Sequence, residues 1–354
     1  MKILVTGGCG FIGSNFVLKQ VQQNNNTIIN MDLLTYAGNQ DNLKPISNKK
    51  NYHFIHGDIS DRKLTSKLFQ NFQPEAVVHF AAETHVDRSI DRPMEFIQTN
   101  IVGTTNLLNE TLEYWKKLNI KNQNTNFKLL HVSTDEVFGA LGNEGFFTET
   151  TPYDPSSPYS ASKAASDHLV RSWHRTYGLP ILITNCSNNY GPYQFPEKLI
   201  PLMIANCIDE KSLPIYGKGL NIRDWLYVED HCEAISIVLQ NGMIGETYNI
   251  GGNNEIRNIN IVKTICSVLN ELRPRANGES YAELITHVND RPGHDYRYAI
   301  DASKIKNDLV WSPKETFETG IRKTVQWYLE NENWWRRIQN RTYNQERLGL
   351  IKSD

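Results

Sequence analysis

Cysteine is scarce in this sequence. Its 354 residues include only five cysteines, scattered through the chain as Cys9, Cys186, Cys207, Cys232 and Cys266. None stands in a Cys-x-x-Cys pair or at zinc-ligand spacing, so we expect neither a disulfide framework nor a metal site. Cys186 and Cys266 lie in apolar runs and are expected to be core thiols. Free thiols of this kind are typical of a reducing compartment, so we expect a cytoplasmic protein.

The sequence also lacks an excess of charge of either sign and a long apolar run. There are 37 Lys and Arg against 39 Asp and Glu, a formal net charge of −2, which gives no indication of a nucleic-acid partner. No run approaches the roughly 18 apolar residues of a membrane helix, and the N-terminus lacks the regions of a signal peptide. We therefore expect no membrane partner. The length suits one large domain or two closely associated domains.

A glycine-rich turn stands near the N-terminus. In MKILVTGGCGFIGSNFVLKQVQ, an apolar strand pattern precedes the turn and a helix pattern follows it. The turn fits G-x-G-x-x-G through Gly8, Gly10 and Gly13, or G-x-x-G-x-x-G starting at Gly7. In either case glycine lets the backbone approach a pyrophosphate, and the N-terminus of the helix faces its charge. This context predicts a dinucleotide-binding site.

An acidic residue ends the next strand pattern, TIINMD. Asp32 comes about 20 residues after the glycines, where the fingerprint places the acid that binds the adenosine ribose. Because a carboxylate there repels a 2′-phosphate, NAD is favoured over NADP. The alternative is that Asp32 only caps a turn.

Two further strand patterns end in small or polar residues. One ends at Asp58–Ile59, and the other, in PEAVVHFAAETHVDRSI, passes into Ala81 and Ala82. These small side chains let a cofactor pass close to the backbone. His85 follows at the same edge, and we interpret it as a hydrogen-bonded structural histidine rather than a base.

Tyr159 and Lys163 form the first candidate catalytic pair. Four residues apart, they lie on one face of a helix, one turn from each other. An ammonium near a phenol lowers the phenol's pKa from about 10, and a positive nicotinamide would lower it further. Y-x-x-x-K also arises by chance in helices, so the pair gains its weight from the N-terminal motif.

Asp135 and Glu136 form the second candidate pair, after the strand pattern FKLLHVS. Adjacent strand residues point to opposite faces, so both carboxyls can reach one ligand only if the backbone turns at the strand end. Open α/β sheets bind their ligands there, and Thr134 adds a hydroxyl. Neighbouring carboxyls resist ionising together, which leaves open which one holds a proton. The alternative is a solvated turn.

The alternation of strands and helices predicts an α/β fold with a Rossmann-type doubly wound parallel sheet. Beyond Asn188 the pattern changes, and we expect a smaller mixed α/β substrate domain over the carboxyl edge of the sheet. We assign 1–187 plus about 224–252 to the NAD-binding domain, about 188–223 plus 253–330 to the substrate domain and 331–354 to a C-terminal extension. TFETGIRKTVQWYLENENWW is predicted to be a final helix whose tryptophans serve packing.

Longer motifs resemble a known family. TGGCGFIGS, Asp32, the Tyr159–Lys163 pair and the strand order are similar to the extended short-chain dehydrogenase/reductase family. Within it, from Met1 to about Tyr328, the chain resembles the dTDP-glucose 4,6-dehydratases through STDEVFG, SSPYSASKAASDH, NCSNNYGPYQFPEKLIP, PIYGKG, RDWLYVEDH, YNIGG and RPGHDYRYAID. The most specific element is Thr-Asp-Glu at 134–136, because related epimerases usually lack the Asp-Glu pair.

The resemblance implies an NAD-dependent lyase that acts on dTDP-glucose. Tyr159 would take the 4-hydroxyl proton during hydride transfer from C4, while Lys163 holds the nicotinamide ribose and Thr134 bonds the C4 oxygen. Glu136 would then remove the C5 proton, and Asp135 would protonate the departing C6 hydroxyl. Hydride return to C6 gives a 4-keto-6-deoxy sugar, a step of dTDP-rhamnose biosynthesis. The family also implies a homodimer that uses two helices per subunit.

The same resemblance implies two sets of binding residues. The cofactor set is Gly7, Gly10, Phe11, Ile12, Gly13, Asp32, Leu33, Leu34, Thr35, Asp58, Ile59, Phe80, Ala81, Ala82, Glu83, Thr84, Thr99, Tyr159, Lys163 and Asn189. The substrate set is Thr84, Thr134, Asn188, Lys198, Leu199, Pro214, Ile215, Tyr216, Arg223, Asn258, Asp290, Arg291, Pro292, Gly293 and His294. Arg223 and Arg291 suit a diphosphate because a guanidinium pairs it bidentately.

Departures from the family pattern are few. Phe138 stands where many members have tyrosine, Thr84 stands where serine is common, and the loop from Gly139 to Phe146 is short. The nearest alternative function is a nucleotide-sugar 4-epimerase, which would use the tyrosine and lysine without the Asp-Glu pair. A non-catalytic NAD-binding sensor is the second alternative.

Overall fold

The first half of the chain alternates strands with helices. The computed structural model describes residues 1–23, 26–120, 126–290 and 293–342. The elements are β1 (Lys2–Thr6), α1 (Phe11–Gln22), β2 (Thr27–Asp32), β3 (Tyr52–His56), α2 (Arg62–Phe72), β4 (Ala76–His79), α3 (Val86–Asp91), α4 (Pro93–Phe96), α5 (Thr104–Ile120), β5 (Lys128–Thr134), α6 (Pro158–Tyr177) and β6 (Ile181–Cys186). A π-helical segment, Ile97–Gly103, joins α4 to α5, and 3₁₀ turns occupy Gln40–Ile46 and Asp135–Phe138.

The second half mixes short strands with helices. Its elements are β7 (Asn188–Tyr190), α7 (Leu199–Ile208), β8 (Leu213–Tyr216), β9 (Ile222–Tyr227), α8 (Val228–Asn241), β10 (Thr247–Ile250), β11 (Glu255–Arg257), α9 (Asn258–Leu272), a 3₁₀ turn (Tyr281–Leu284), β12 (Ile285–Val288), α10 (Ser303–Leu309), α11 (Phe317–Glu330) and α12 (Glu332–Thr342). None of the described helices has the length and apolar character needed to cross a bilayer.

The prediction of one final helix was wrong. Asn331 departs from helical geometry at φ −114°, ψ 34°, so α11 ends there and α12 begins at the next residue. The packing role of the tryptophans is confirmed, since Trp334 and Trp335 are buried. Their indole N–H groups donate to Oδ1 of Asn42 over 2.8 Å and to the carbonyl of Tyr328 over 3.0 Å.

The central sheet has seven strands in the order β10-β6-β5-β4-β1-β2-β3, and each neighbouring pair is parallel. Six of these strands follow the dinucleotide-binding order 3-2-1-4-5-6, which places a crevice at the carboxyl ends where the order reverses beside β1. The predicted doubly wound parallel sheet is confirmed.

Both faces of this sheet are covered. On β1, Ile3 and Val5 pack into the apolar cluster that contains Phe16 of α1, whereas Leu4 packs into the cluster that contains Leu107 of α5. This alternation gives the continuous apolar pattern of strands buried on two sides.

Two smaller sheets lie beyond β6. Strands β11, β9 and β7 form one, with an antiparallel and a parallel pair, and β12 and β8 form the other. They surround a separate apolar cluster that contains Tyr190, Trp225, Ile265 and Tyr328. Only Ser187 separates β6 from β7, so the chain passes from the carboxyl edge of the large sheet directly into the smaller one.

Candidate active site

One cleft along the carboxyl edge of the sheet collects the predicted catalytic and cofactor residues. The predicted residues in its lining are Gly7, Gly10, Phe11, Ile12, Gly13, Asp32, Leu33, Thr35, Asp58, Ile59, Phe80, Ala81, Ala82, Glu83, Thr84, Thr99, Thr134, Asp135, Glu136, Tyr159, Lys163, Asn188, Asn189 and Lys198. Leu34 is the one member of the cofactor set outside this lining. Its backbone N–H instead donates to Oδ1 of Asp32 over 2.8 Å.

The glycine turn is shaped by close backbone contacts. Gly7 has φ +74°, and a Cβ there would lie 2.6 Å from the backbone nitrogen of Ala81. A Cβ on Gly13 would lie 2.3 Å from the carbonyl oxygen of Gly7. Gly7, Gly10 and Gly13 line the cleft, while a Cβ on Gly8 would meet Asn30. The G-x-x-G-x-x-G reading therefore describes the cleft surface.

The start of α1 fits a pyrophosphate. Gly10 is its N-cap, and among the described residues no side chain caps this helix, so its first backbone N–H groups face the cleft end unpaired. The position of Asp32 is compatible with both interpretations. It lines the cleft, and its carboxylate also accepts from the N–H groups of Cys9 and Leu34, each over 2.8 Å. A carboxylate has lone pairs left for a ribose hydroxyl, so these residues fit NAD.

Tyr159 lies in the first turn of α6, where a capping box fixes the helix start. Oγ of Ser157 accepts from the N–H of Ser160 over 3.1 Å, and Oγ of Ser160 accepts from the N–H of Ser157 over 3.0 Å. Pro158 occupies the first helical position, where its fixed φ is favourable. Lys163 follows one turn later, and both side chains line the cleft.

The electrostatics of Tyr159 correct one expectation. Burial, followed by the Glu136 carboxylate, raises the pKa of Tyr159 well above its ordinary value, and a hydrogen bond with Thr134 opposes the rise. Lys163 does not reverse this effect. Its ammonium donates to the carbonyl of Val132 over 3.0 Å and contacts Nε2 of His131 at 3.3 Å. The polypeptide alone therefore holds Tyr159 as a phenol.

Asp135 and Glu136 stand where the strand gives way to a turn. β5 ends at Thr134 and the 3₁₀ turn begins at Asp135, so the strand alternation is broken as predicted. Asp135 is 1% exposed, whereas Glu136 is half-buried. Burial, and then the Glu136 and Asp224 carboxylates, raise the pKa of Asp135 well above its ordinary value. Asp135 is therefore suited to hold a proton and act as an acid.

Several residues of the predicted substrate set lie beside the cleft rather than in its lining. Tyr216 donates to Oδ2 of Asp87 over 3.4 Å and packs edge-on to His294 at 5.9 Å, and Nδ1 of His294 lies 2.6 Å from Oδ1 of Asp290. Arg223 donates to the carbonyl of Asp295 over 2.9 Å, and its charge lowers the pKa of Asp135 against the dominant effect of burial. Arg223 is the member of this group whose charge acts on a residue of the cleft.

The other members of this set are dispersed. Leu199 begins α7, Pro214 and Ile215 lie on β8, Gly293 has φ +61°, and Oδ1 of Asn258 has no hydrogen-bond partner among the described residues. Arg291 and Pro292 lie outside the described residues. His85 has a structural contact as interpreted, since its Nδ1 accepts from the N–H of Arg88 at the start of α3 over 3.4 Å.

The cleft also contains residues that the sequence did not single out. These are Met31, Tyr36, Ala37, Gly38, Gly57, Val132, Ser133, Cys186, Ser187, Gln194, Phe195 and Glu197. Tyr36 lies in the loop after β2, where the ring packs edge-on to Phe195 at 5.6 Å and under the guanidinium of Arg88 at 3.9 Å. Its loop position was a usable signal. Phe195 and Glu197 reach the cleft from a distant segment without any local pattern.

Comparisons with known proteins agree with this arrangement. The family model for GDP-mannose 4,6 dehydratase matches residues 4–324. A dTDP-glucose 4,6-dehydratase of Neisseria meningitidis serogroup B is 58% identical over 354 residues, covering 99% of each chain. The dTDP-glucose 4,6-dehydratase of Bacillus anthracis, solved with NAD, has a TM-score of 0.83 and 47% identity over 96% of this chain and 99% of that chain. The Streptomyces venezuelae enzyme of the same name, also with NAD, has a TM-score of 0.87 and 42% identity over 96% and 100%.

Proposed function

The chain belongs to the GDP-mannose 4,6 dehydratase family, and from this membership we propose that it converts dTDP-glucose into dTDP-4-keto-6-deoxyglucose. It is an NAD-dependent hydro-lyase of nucleotide-sugar metabolism. The observation that carries the assignment is the Thr134-Asp135-Glu136 turn, which faces the same cleft as Tyr159 and Lys163. An epimerase needs no such acid and base pair, and a non-catalytic sensor needs no catalytic groups. Neither alternative is therefore favoured.

Each catalytic side chain has a role that its environment supports. Tyr159 takes the proton of the C4 hydroxyl, and Thr134 donates a hydrogen bond to the C4 oxygen. Glu136, half-buried and open to the cleft, removes the C5 proton that the C4 carbonyl acidifies. Asp135, kept protonated by burial, gives its proton to the departing C6 hydroxyl. NAD supplies the hydride acceptor at C4 and the hydride donor at C6 when it is bound.

The positive charge of the oxidised nicotinamide complements Tyr159. Burial and Glu136 raise the pKa of this phenol, and a cation beside the ring favours the phenolate. Lys163 lines the same cleft, where its ammonium would hold the nicotinamide ribose. Tyr159 thus acts as a base only in the oxidised holoenzyme.

The binding residues follow the same division. The glycine turn, Asp32 and the Ala81–Ala82 segment line the cleft and would hold the cofactor. The sugar nucleotide would be held by the cleft residues Thr84, Asn188 and Lys198 together with Leu199, Pro214, Ile215, Tyr216, Arg223, Asn258, Asp290, Arg291, Pro292, Gly293 and His294. Nζ of Lys198 donates to the carbonyl of Thr84 over 3.3 Å, which links the two regions.

The chain also divides into two domains in this proposal. Residues 1–187 plus about 224–252 bind NAD, about 188–223 plus 253–330 bind the sugar nucleotide, and 331–354 form an extension. The apolar clusters support this division in part, because α7, α9 and α11 pack together around the smaller sheets. However, Ile305 and Trp311 pack with Phe16 in the cluster on the large sheet, and Trp335 packs in the cluster around the smaller sheets. β9 pairs with β7 and β11 of the small sheet, which moves the boundary near 224 to the start of α8 at Val228.

The protein is a cytoplasmic homodimer in the same proposal. All five cysteines are free and buried, which suits a reducing compartment. Met94, Ile97 and Val102 expose large apolar side chains along the helical run from α4 to α5, a surface that a second copy would cover. Light scattering on the eluting peak of a sizing column tests the dimer, since a monomer mass would exclude it.

Proton NMR of the product tests the function directly. The purified holoenzyme is incubated with dTDP-glucose in heavy water. We expect a 6-methyl signal, deuterium at C5 and the original C4 hydrogen at C6. A galactose product without deuterium would instead establish the epimerase. Bound NAD with no turnover of any nucleotide sugar would establish the sensor.

A further inference from the structure

A buried polar cluster lies directly behind Lys163. His131 on β5 and Asp167 on α6 are 1% and 0% exposed, and Lys163 is 4% exposed. Nε2 of His131 lies 3.3 Å from Nζ of Lys163 and 3.2 Å from Oδ1 of Asp167. One ring nitrogen therefore faces both the ammonium and the carboxylate.

The carboxylate of Asp167 is held from its other side. Its Oδ2 accepts hydrogen bonds from Ser133 over 2.9 Å, Tyr153 over 2.8 Å and Asn185 over 3.2 Å. Burial works to raise the pKa of Asp167, but the His131 imidazole, the Lys163 charge and the Ser133 hydrogen bond outweigh burial and leave the pKa lowered. Asp167 is therefore an ionised carboxylate in the protein interior, and the buried Lys163 ammonium is one of the charges that keep it so.

His131 is neutral between these two charges. Burial, and then the positive charge of Lys163, lower its pKa to about 4. A neutral imidazole carries one proton, on Nδ1 or on Nε2. With the proton on Nδ1, Nε2 accepts a hydrogen bond from the Lys163 ammonium. With the proton on Nε2, the ring donates to Oδ1 of Asp167, and the same N–H faces the positive ammonium of Lys163. A proton on Nδ1 has no acceptor among the described residues, whereas a proton on Nε2 lies 3.2 Å from Oδ1 of Asp167. The charge of Lys163 is therefore the one contact in this cluster that favours the Nδ1 tautomer.

The cluster also fixes the direction of the Lys163 head group. An ammonium has three N–H donors. One donates to the carbonyl of Val132 over 3.0 Å and one points to Nε2 of His131, which leaves the third for the cleft. A lysine side chain free to rotate would not keep this direction. Fixing it only when a ligand binds would cost conformational entropy at that step.

We propose that His131 and Asp167 are positioning residues for Lys163, which keep its buried ammonium charged and direct one N–H into the cleft. This inference rests on the proposed role of Lys163 in the dehydratase reaction. Burial lowers the pKa of Lys163 and Asp167 is the largest opposing charge. Without that counter-ion the buried ammonium would be uncompensated, and the neutral amine could not stabilise the phenolate of Tyr159.

Other charges around the cluster do not replace Asp167. The titratable and charged groups that act on the cluster are Cys186 from β6, His79 from β4 and Arg171 from α6, and those that act on Tyr159 are Glu136, Asp135 and Cys186. Burial raises the pKa of the Cys186 thiol, so it is uncharged at neutral pH. Asp167 is not among the groups that perturb Tyr159, so its removal has no direct electrostatic effect on the phenol.

Nitrogen NMR of histidine-labelled protein tests the tautomer without any turnover. The His131→Phe variant identifies the signals of His131. In the wild-type holoenzyme we expect a protonated Nδ1 and an unprotonated Nε2. In Lys163→Met, where the ammonium is gone, the proton is expected on Nε2 facing Asp167. The same tautomer in both proteins would overturn the proposal, and this result would stand even if dTDP-glucose proved not to be the substrate.

The pH profile of the first turnover tests the consequence for Tyr159. Reduction of bound NAD by dTDP-glucose is followed by absorbance in a stopped-flow instrument. In His131→Phe and Asp167→Asn, the pH at which the rate of NAD reduction is half-maximal should rise. At pH values below that midpoint, the variant should be slower than the wild type by about tenfold for each pH unit of the shift. His131→Gln places an amide oxygen near the position of Nε2 and should restore most of the profile.

His79→Gln is the matched control. His79 is equally buried and its ring lies 5.2 Å from that of His131, but its nitrogens contact Thr6 over 2.7 Å and Thr104 over 3.0 Å instead of Lys163. Its pH profile should match the wild type. A His131→Phe rate that is reduced by one factor at every pH, without a shift, would mean that His131 only fills space, and the proposal would be wrong.

Discussion

The hydroxyl of Thr134 donates a hydrogen bond to Oδ1 of Asp135 over 3.3 Å. The same hydroxyl opposes the rise in the pKa of Tyr159, so it acts on both the base of the first step and the acid of the second. In the proposed reaction, each turnover leaves Tyr159 with one extra proton and Asp135 with one proton fewer. Thr134 provides a direct path for returning that proton, which would reset both groups inside the cleft.

Replacing Thr134 by valine keeps the volume of the side chain and should slow catalysis by removing the hydroxyl, which also accepts from the N–H of Glu136 over 3.3 Å. We expect Thr134→Val to lower kcat about 10²–10³-fold, as for other lost donors to a developing oxyanion, with little change in KM. Thr134→Ser keeps the hydroxyl and should stay within a few-fold of wild type. Steady-state kinetics on dTDP-glucose measure both values, and equal activity of the two variants would exclude the role of the hydroxyl.

The division of labour between Asp135 and Glu136 can be tested by deuterium exchange. Glu136→Gln should still oxidise C4 and accumulate NADH, but it should not exchange the C5 hydrogen with heavy water. Asp135→Asn should permit that exchange while losing about 10²–10⁴-fold in water elimination, the usual contribution of a general acid. NMR of recovered sugar reports the exchange. The opposite pattern would mean that the acid and base are reversed.

Asp135 should cost stability at the pH where the enzyme works. Its pKa is raised in the folded protein above the unfolded value of about 3.9, so the folded state binds more protons and stability falls as pH rises from about 4 towards the folded pKa. Asn cannot ionise, and its side-chain oxygen can still accept from Thr134. Asp135→Asn should therefore unfold at higher temperature than wild type at pH 7, with the difference shrinking near pH 4.

Thermal unfolding at the two pH values measures this effect. A gain of 1 kcal/mol would raise Tm by about 1–2 °C in a protein of 354 residues. Glu136→Gln is the control, because Glu136 is half-buried and its replacement should change Tm less. An Asp135→Asn protein that is less stable at pH 7 would show that the carboxylate is compensated in the fold.

The sequence predicted the parts of this site that depend on local pattern. The glycine turn, the end of β2 at Asp32 and the turn at Asp135 follow from strand and helix periodicity, because the carboxyl ends of parallel strands meet at one edge. Tyr159 and Lys163 share a helix face for the same local reason. These relations need no knowledge of distant contacts.

The remaining features depend on long-range packing. Phe195 and Glu197 enter the cleft because Glu197 pairs with Arg88 over 2.9 Å, a contact across more than a hundred residues. His131 lay in the predicted strand, but its partner Asp167 is visible only once α6 packs on β5. The direction of the Tyr159 pKa shift depends mainly on burial, and burial cannot be derived from the spacing of residues in the sequence.

The glycine turn allows folding and cofactor binding to be separated. A Cβ on Gly13 would lie 2.3 Å from the carbonyl oxygen of Gly7 and 2.8 Å from Cα of Gly8, whereas a Cβ on Gly10 would meet only the Gly7 oxygen, at 3.4 Å. Gly13→Ala should therefore destabilise the fold by about 1–3 kcal/mol, as overpacking does. Gly10→Ala should fold with nearly wild-type stability. Its methyl group, however, enters the cleft where the pyrophosphate must approach the backbone.

The two effects separate in unfolding curves recorded with and without NAD, after bound cofactor has been removed. NAD raises Tm in proportion to RT ln(1 + [NAD]/Kd), so Gly10→Ala should match wild type without NAD and gain less with it. A steric cost of about 1–3 kcal/mol would weaken Kd about tenfold to hundredfold, which calorimetry can measure. Wild-type affinity in Gly10→Ala would show that the pyrophosphate does not pass over Gly10, and the assignment of the turn would have to change.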